Sequence, residues 1–148
     1  MDQLFSGAAL PVVNALNLRP GSMFEPRQYQ QEAVDAVIAH ISKSTEPCLV
    51  EAATGAGKSL IISMVANWVH DKSGKHILCM APSKELVEQN YAKYLNYGDA
   101  SIFCASVGKK CLRHPVVFCS PMTAHNAIDE IATLRVAAVI IEDRKSVV

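Results

Sequence analysis

The stretch Cys48-Leu-Val-Glu-Ala-Ala-Thr-Gly-Ala-Gly-Lys-Ser-Leu-Ile-Ile-Ser63 decides the architecture. It opens on a short apolar run, passes through a loop of small residues and enters a mostly apolar segment that reaches His70. That order reads as strand, loop, helix. Within it, residues 52–59 nearly fulfil Gly-x-x-x-x-Gly-Lys-Ser/Thr, with Ala52 standing where the first Gly would be. Small residues let backbone N–H groups curl around an anion, and Gly55 and Gly57 supply conformations that a Cβ would obstruct. The loop residues Ala53, Thr54, Gly55, Ala56 and Gly57 are therefore expected to cradle the phosphates of a nucleoside triphosphate. Lys58 would place its ammonium on the β and γ phosphates, and the Ser59 hydroxyl would ligate Mg2+. The helix starting there would aim the positive end of its dipole at the anion. A Gly-containing turn between any strand and helix is the competing reading; Gly-Lys-Ser in this context weighs against it.

Working outward, the alternation repeats. Residues 28–42 place Ala33, Val34, Val37, Ile38 and Ile41 at helical spacing, which marks an amphipathic helix. Strands are expected at 48–51, 76–80, 101–105, 116–119 and 136–141, with helices at 83–96 and 121–134. Strands that are apolar on both faces and separated by helices imply a mostly parallel sheet covered on both sides. The fold class is α/β, a three-layer sandwich.

The chain has 148 residues, half of them apolar, which suffices for one compact domain. Lys plus Arg equals Asp plus Glu at 14 each, so bulk charge neither supports nor excludes nucleic acid. Five cysteines, with no Cys-x-x-Cys pair, are expected to be buried thiols in a reducing cytoplasm and not a zinc site. The apolar stretch 60–69 is broken by Ser63 and Asn67 and falls short of the ~20 residues of a membrane span. Asp2 opens a terminus without a basic leader, so a cytoplasmic protein with no membrane partner is expected. Residues 1–22, with Gly7, Pro11, Pro20 and Gly21, read as an extension, disordered or non-native, before a domain at 23–142. Met1 and Met23 are both plausible starts.

The loop, with Ala in its first position, resembles motif I of superfamily 2 helicases, and other segments follow in that family's order. Pro26-Arg-Gln-Tyr-Gln30 resembles the element with which these motors recognise adenine, which implies ATP, with Arg27 and Gln30 as contacts. A Gln amide can both donate and accept along a purine edge. Gln28 stands where the family has Pro. Residues 81–90 resemble motif Ia, which implies DNA backbone contacts from Ser83 and Lys84; a plain helix start with Ser83 as N-cap explains the same residue. Lys109, Lys110, Ser120 and Thr123 occupy the places of the next backbone-contacting elements, although the two lysines also read as a solvated turn. Together, residues 24–141 most resemble the RadD type of DNA helicase, which implies an incomplete RecA-like first domain of a motor working on DNA in recombination or repair. A second RecA-like domain would supply arginines to the γ phosphate, so this chain alone is expected to turn ATP over poorly.

The family places an Asp-Glu pair near residue 142, for magnesium and for the attacking water. Here Glu142 and Asp143 appear in reversed order with no following His. Either they form an inverted pair, with Glu142 beside Ser59 as metal ligand, or residues 143–148 are a non-native tail. The second reading is preferred: Asp143 to Val148 back-translates as GAT CGG AAG AGC GTC GTG, the start of a common sequencing adapter, and codon 142 could then have been Asp. Another nucleoside-triphosphatase with the same loop, or a non-catalytic nucleotide-binding remnant, is the alternative; a small-molecule kinase would need an acceptor site and lid that the sequence lacks.

Overall fold

The computed structural model describes residues 26–51 and 57–142. Helix α1 (Gln28–Ile41) buries Gln30, Val34 and Ile38, one residue per turn along a single face. Helix α2 (Lys58–Ser73) is buried nearly all round, from Ser59 to Val69 with Asn67 the interruption. A helix that is apolar on every side belongs inside a layer, and α2 lies between α1 and the sheet. It ends at Gly74, whose φ of 67° and N–H to the His70 carbonyl close the last turn.

Strand β1 (His76–Met80) leads to helix α3 (Lys84–Tyr94), which Ser83 caps by accepting the Leu86 N–H. Strand β2 (Ser101–Cys104) is followed by a tight turn at Ala105–Val107 and the two-residue strand β3 (Lys109–Lys110). Strand β4 (Val116–Cys119), short helices α4 (Pro121–Asn126) and α5 (Ile128–Ala132), and strand β5 (Val136–Ile141) complete the described chain. The strand order is β3-β2-β4-β1-β5, with all neighbours parallel except β3 against β2. Alternation across the pleat sorts the core into two faces. Ile77, Cys79, Ile102, Cys104, Val116 and Phe118 pack with α1, α2 and α3, and Phe118 meets Tyr91 edge-on at 6.3 Å between ring centroids. Leu78, Phe103, Val117 and Cys119 pack with Ala124 of α4 and Ile131 of α5. The three-layer α/β sandwich expected from the sequence is what forms.

Four local expectations are corrected. Residues 48–51 form no strand: Leu49 is 84% exposed and Val50 41%, and among the described strands none offers them a ladder. Apolar content alone does not make a strand without a neighbour to receive its N–H groups. The helix expected over 121–134 breaks at Ala127, where φ is −120° and the N–H reaches back three residues to Ala124. Lys109 and Lys110 are not a turn but an antiparallel strand opposite Cys104 and Phe103. Finally, Cys79, Cys104 and Cys119 are buried, but Cys48, on the segment that forms no strand, is exposed, and Cys111, in the loop before β4, is half-buried.

Candidate nucleotide site

Parallel sheets of this kind bind ligands beyond the carboxyl ends of their strands, and there α2 begins. Residues 52–56 of the expected phosphate loop, Ala53, Thr54, Gly55 and Ala56 among them, lie outside the described residues, as do Asp143 and residues 1–22. Gly57 is described and holds the helix start in the left-handed region, with φ 74° and ψ 43°. A Cβ built there would run into the Gln30 side chain. Gln30, 5% exposed, accepts the Arg27 N–H through Oε1 at 2.8 Å and donates Nε2 toward the Gly57 carbonyl at 3.4 Å. It thereby ties the start of α1 to the start of α2, while Arg27 itself is exposed.

Lys58 and Ser59 open α2. Ser59 is 4% exposed, and its hydroxyl is bonded on two sides by α3: it donates to Asn90 Oδ1 at 2.6 Å and accepts from Gln89 Nε2 at 3.1 Å. A hydroxyl has one proton and two lone pairs, so one lone pair is left over. Asn90 is 2% exposed, and its Nδ2 donates to Glu142 Oε1 at 2.8 Å. Glu142 sits just past β5 because its N–H continues the ladder to the Met80 carbonyl at 2.8 Å. The structure therefore brings together the Gly-Lys-Ser serine and the acid at the end of β5, through a residue that the sequence reading did not single out. Gln89 and Asn90 are the residues missed. The available signal was a buried-face position: Val87, Asn90 and Tyr94 form one stripe of α3, and an Asn on such a stripe has to be satisfied internally.

A serine hydroxyl with a spare lone pair and a neighbouring carboxylate are hard oxygen donors, and they fit Mg2+, which takes few protein ligands and keeps waters and phosphate oxygens. Among the described residues no group of three or more His, Cys, Asp or Glu side chains is placed to hold a metal ion, and no helix is long and apolar enough to cross a membrane. Burial raises the Cys79 thiol, helped by Cys119, and pushes Cys119 up to about 12, with Cys104 adding to the rise.

The remaining expected contacts follow the same edge of the sheet. Ser83 follows β1, Ser120 follows β4, and Lys109 with Lys110 follow β2, so that they form a row from the α2 start toward β3. Ser83 and Ser120 each accept a backbone N–H, from Leu86 and Thr123, and work as N-caps. Lys84, Lys109 and Lys110 are exposed. Thr123 is 6% exposed; its Oγ1 accepts from the Ala105 N–H at 3.0 Å and from Ser120 Oγ at 2.9 Å, which holds the end of β2 to α4.

The model of the type III restriction enzyme, res subunit, family matches residues 23–144. Among solved structures, the UvsW helicase from bacteriophage T4 matches with a TM-score of 0.67 at 19% identity, over 84% of this chain and 45% of that one. The chain thus spans less than half the length of that structure, and the likeness is one of fold. No curated protein sequence matches. The family match and the fold together support a superfamily 2 helicase-like domain. The chain belongs to the type III restriction enzyme res subunit family.

Proposed function

We propose that the chain is the ATP-binding RecA-like first domain of a superfamily 2 motor of the RadD type, which couples ATP hydrolysis to work on DNA in recombination or repair, in the cytoplasm. The observation that carries the reading is the convergence of Ser59 and Glu142 at the start of α2, on one buried amide. Lys58 and the backbone at the start of α2 would bind the phosphates, and Gln30 with Arg27 would meet the adenine. Ser59 and the acid at 142 would hold magnesium, which would supply charge neutralisation to the phosphates. The exposed Lys84, Lys109 and Lys110 supply positive charge along the edge where a DNA backbone would run. In the parent protein, arginines from a second RecA-like domain would complete the site.

The test is ATP turnover by the full-length parent with and without single-stranded and branched DNA, beside the same assay on the 148-residue chain. The proposal expects strong DNA stimulation of the parent and little turnover by the chain; a parent whose turnover ignores DNA overturns it. Resequencing the gene through codon 142 tests whether residues 143–148 are native, and a continuous frame encoding them ends the adapter explanation.

A further inference from the structure

We infer that Asn90 is a positioning residue that couples the occupancy of the magnesium-nucleotide site to the N-terminal turn of α3. The inference rests on the nucleotide reading above and adds the route by which that site communicates with the DNA-facing edge. Three features of the structure lead to it.

The first is that a single side chain faces both halves of the site. Asn90 Oδ1 takes the Ser59 proton and Asn90 Nδ2 gives a proton to Glu142, so the amide fixes the rotor of one and the position of the other. With the Ser59 proton committed to Asn90 and one lone pair committed to Gln89, the single remaining lone pair has a defined direction. A metal ligand held in one orientation before binding loses less freedom on binding.

The second is burial. Asn90 is 2% exposed, so its amide cannot trade these partners for water without moving α3.

The third is the placement of the helix. Asn90 lies seven residues after the N-cap Ser83, about 10 Å along one rigid helix at 1.5 Å per residue. A shift of α3 that tightens or loosens Asn90 on Ser59 and Glu142 must move the Ser83–Lys84 end as well. Coupling of this kind is reciprocal, so what orders one end orders the other.

The experiment uses the 148-residue chain, the non-hydrolysable adenosine 5′-(β,γ-imido)triphosphate, and MgCl2 or EDTA. Nucleotide affinity is titrated against magnesium, and amide hydrogen exchange is followed across residues 83–90. For wild type, magnesium tightens nucleotide binding, and the bound complex slows exchange at residues 84–87 several-fold. Asn90→Leu, similarly branched but larger and unable to hydrogen-bond, should raise the magnesium midpoint about tenfold, leave affinity in EDTA within about twofold, and remove the protection at 84–87. Asn90→Ala, which strains nothing, should do the same and serves if Asn90→Leu fails to fold. Gln89→Ala should shift the midpoint far less, because it leaves the bridge to Glu142 intact. An Asn90 variant that folds, keeps the wild-type magnesium midpoint and retains the protection overturns the inference while leaving the nucleotide reading standing. A wild-type chain that binds no nucleotide under any condition overturns both.

Discussion

Replacing Gly57 by Ala tests whether the start of α2 is set jointly by backbone geometry and by Gln30. Gly57 sits at φ 74°, and holding a residue with a Cβ in the left-handed region costs about 1–2 kcal/mol. The added methyl also occupies the place of the Gln30 amide, which must leave both the Arg27 N–H and the Gly57 carbonyl. Each lost hydrogen bond adds about 0.5–1.5 kcal/mol. The expected destabilisation is therefore on the order of 2–5 kcal/mol. Gly74 provides the control: it has nearly the same backbone conformation, φ 67°, and open space where its Cβ would go, so Gly74→Ala should cost only the backbone part. Urea denaturation of both variants measures the difference. A second check is Gln30→Ala combined with Gly57→Ala, whose cost should be less than the two single costs together because the clash is then relieved. If Gly57→Ala and Gly74→Ala agree within about 0.5 kcal/mol, the scatter of such comparisons, the packing of Gln30 on Gly57 is not what the geometry indicates.

Lys58→Ala should weaken binding of a fluorescent ATP analogue by roughly 10- to 100-fold, the loss of a charge-assisted contact worth about 1.5–3 kcal/mol; an unchanged dissociation constant would remove Lys58 from the phosphate site. Thr123→Val leaves the Ala105 N–H without its acceptor and should lower stability by about 0.5–1.5 kcal/mol, seen as a lower Tm, with no effect on nucleotide affinity. Thiol labelling should discriminate among the cysteines. Hydrogen bonds from Ser101 and the Arg113 N–H hold the Cys111 thiol below its ordinary range, so its thiolate persists as pH falls toward neutrality, whereas Cys79 and Cys119 are raised and buried. In a Cys48→Ser background the native chain should show one fast thiol, and a second one before denaturant is added would contradict the burial of the core cysteines.

How much of this was legible in the sequence depended on whether the relevant signal was local. The strands His76–Met80, Val116–Cys119 and Val136–Ile141 form over the expected residues because each is an apolar run closed by turn or capping residues. Helix α3 starts where Ser83 offers an N-cap, again a local property. The segment before the phosphate loop failed the same test: Leu49 and Val50 look like a strand, yet pairing is a property of a neighbour that no window of sequence contains. Asn90 was invisible for the same kind of reason. Its partners lie 31 and 52 residues away, at Ser59 and Glu142, and only the packing of α3 beside α2 and the end of β5 makes it part of the site.

Among the described strands β5 stands at the end of the order, which has a practical consequence for handling the isolated chain. Its sequence, Val-Ala-Ala-Val-Ile-Ile, carries no lysine or proline to discourage another strand from adding to it, and Val139 and Ile141 are 49% and 68% exposed. An exposed apolar strand edge of this kind is where concentration-dependent aggregation should begin. A gatekeeper charge there, such as Val139→Lys, should raise the concentration at which the chain stays monomeric without touching the residues around Ser59 and Asn90.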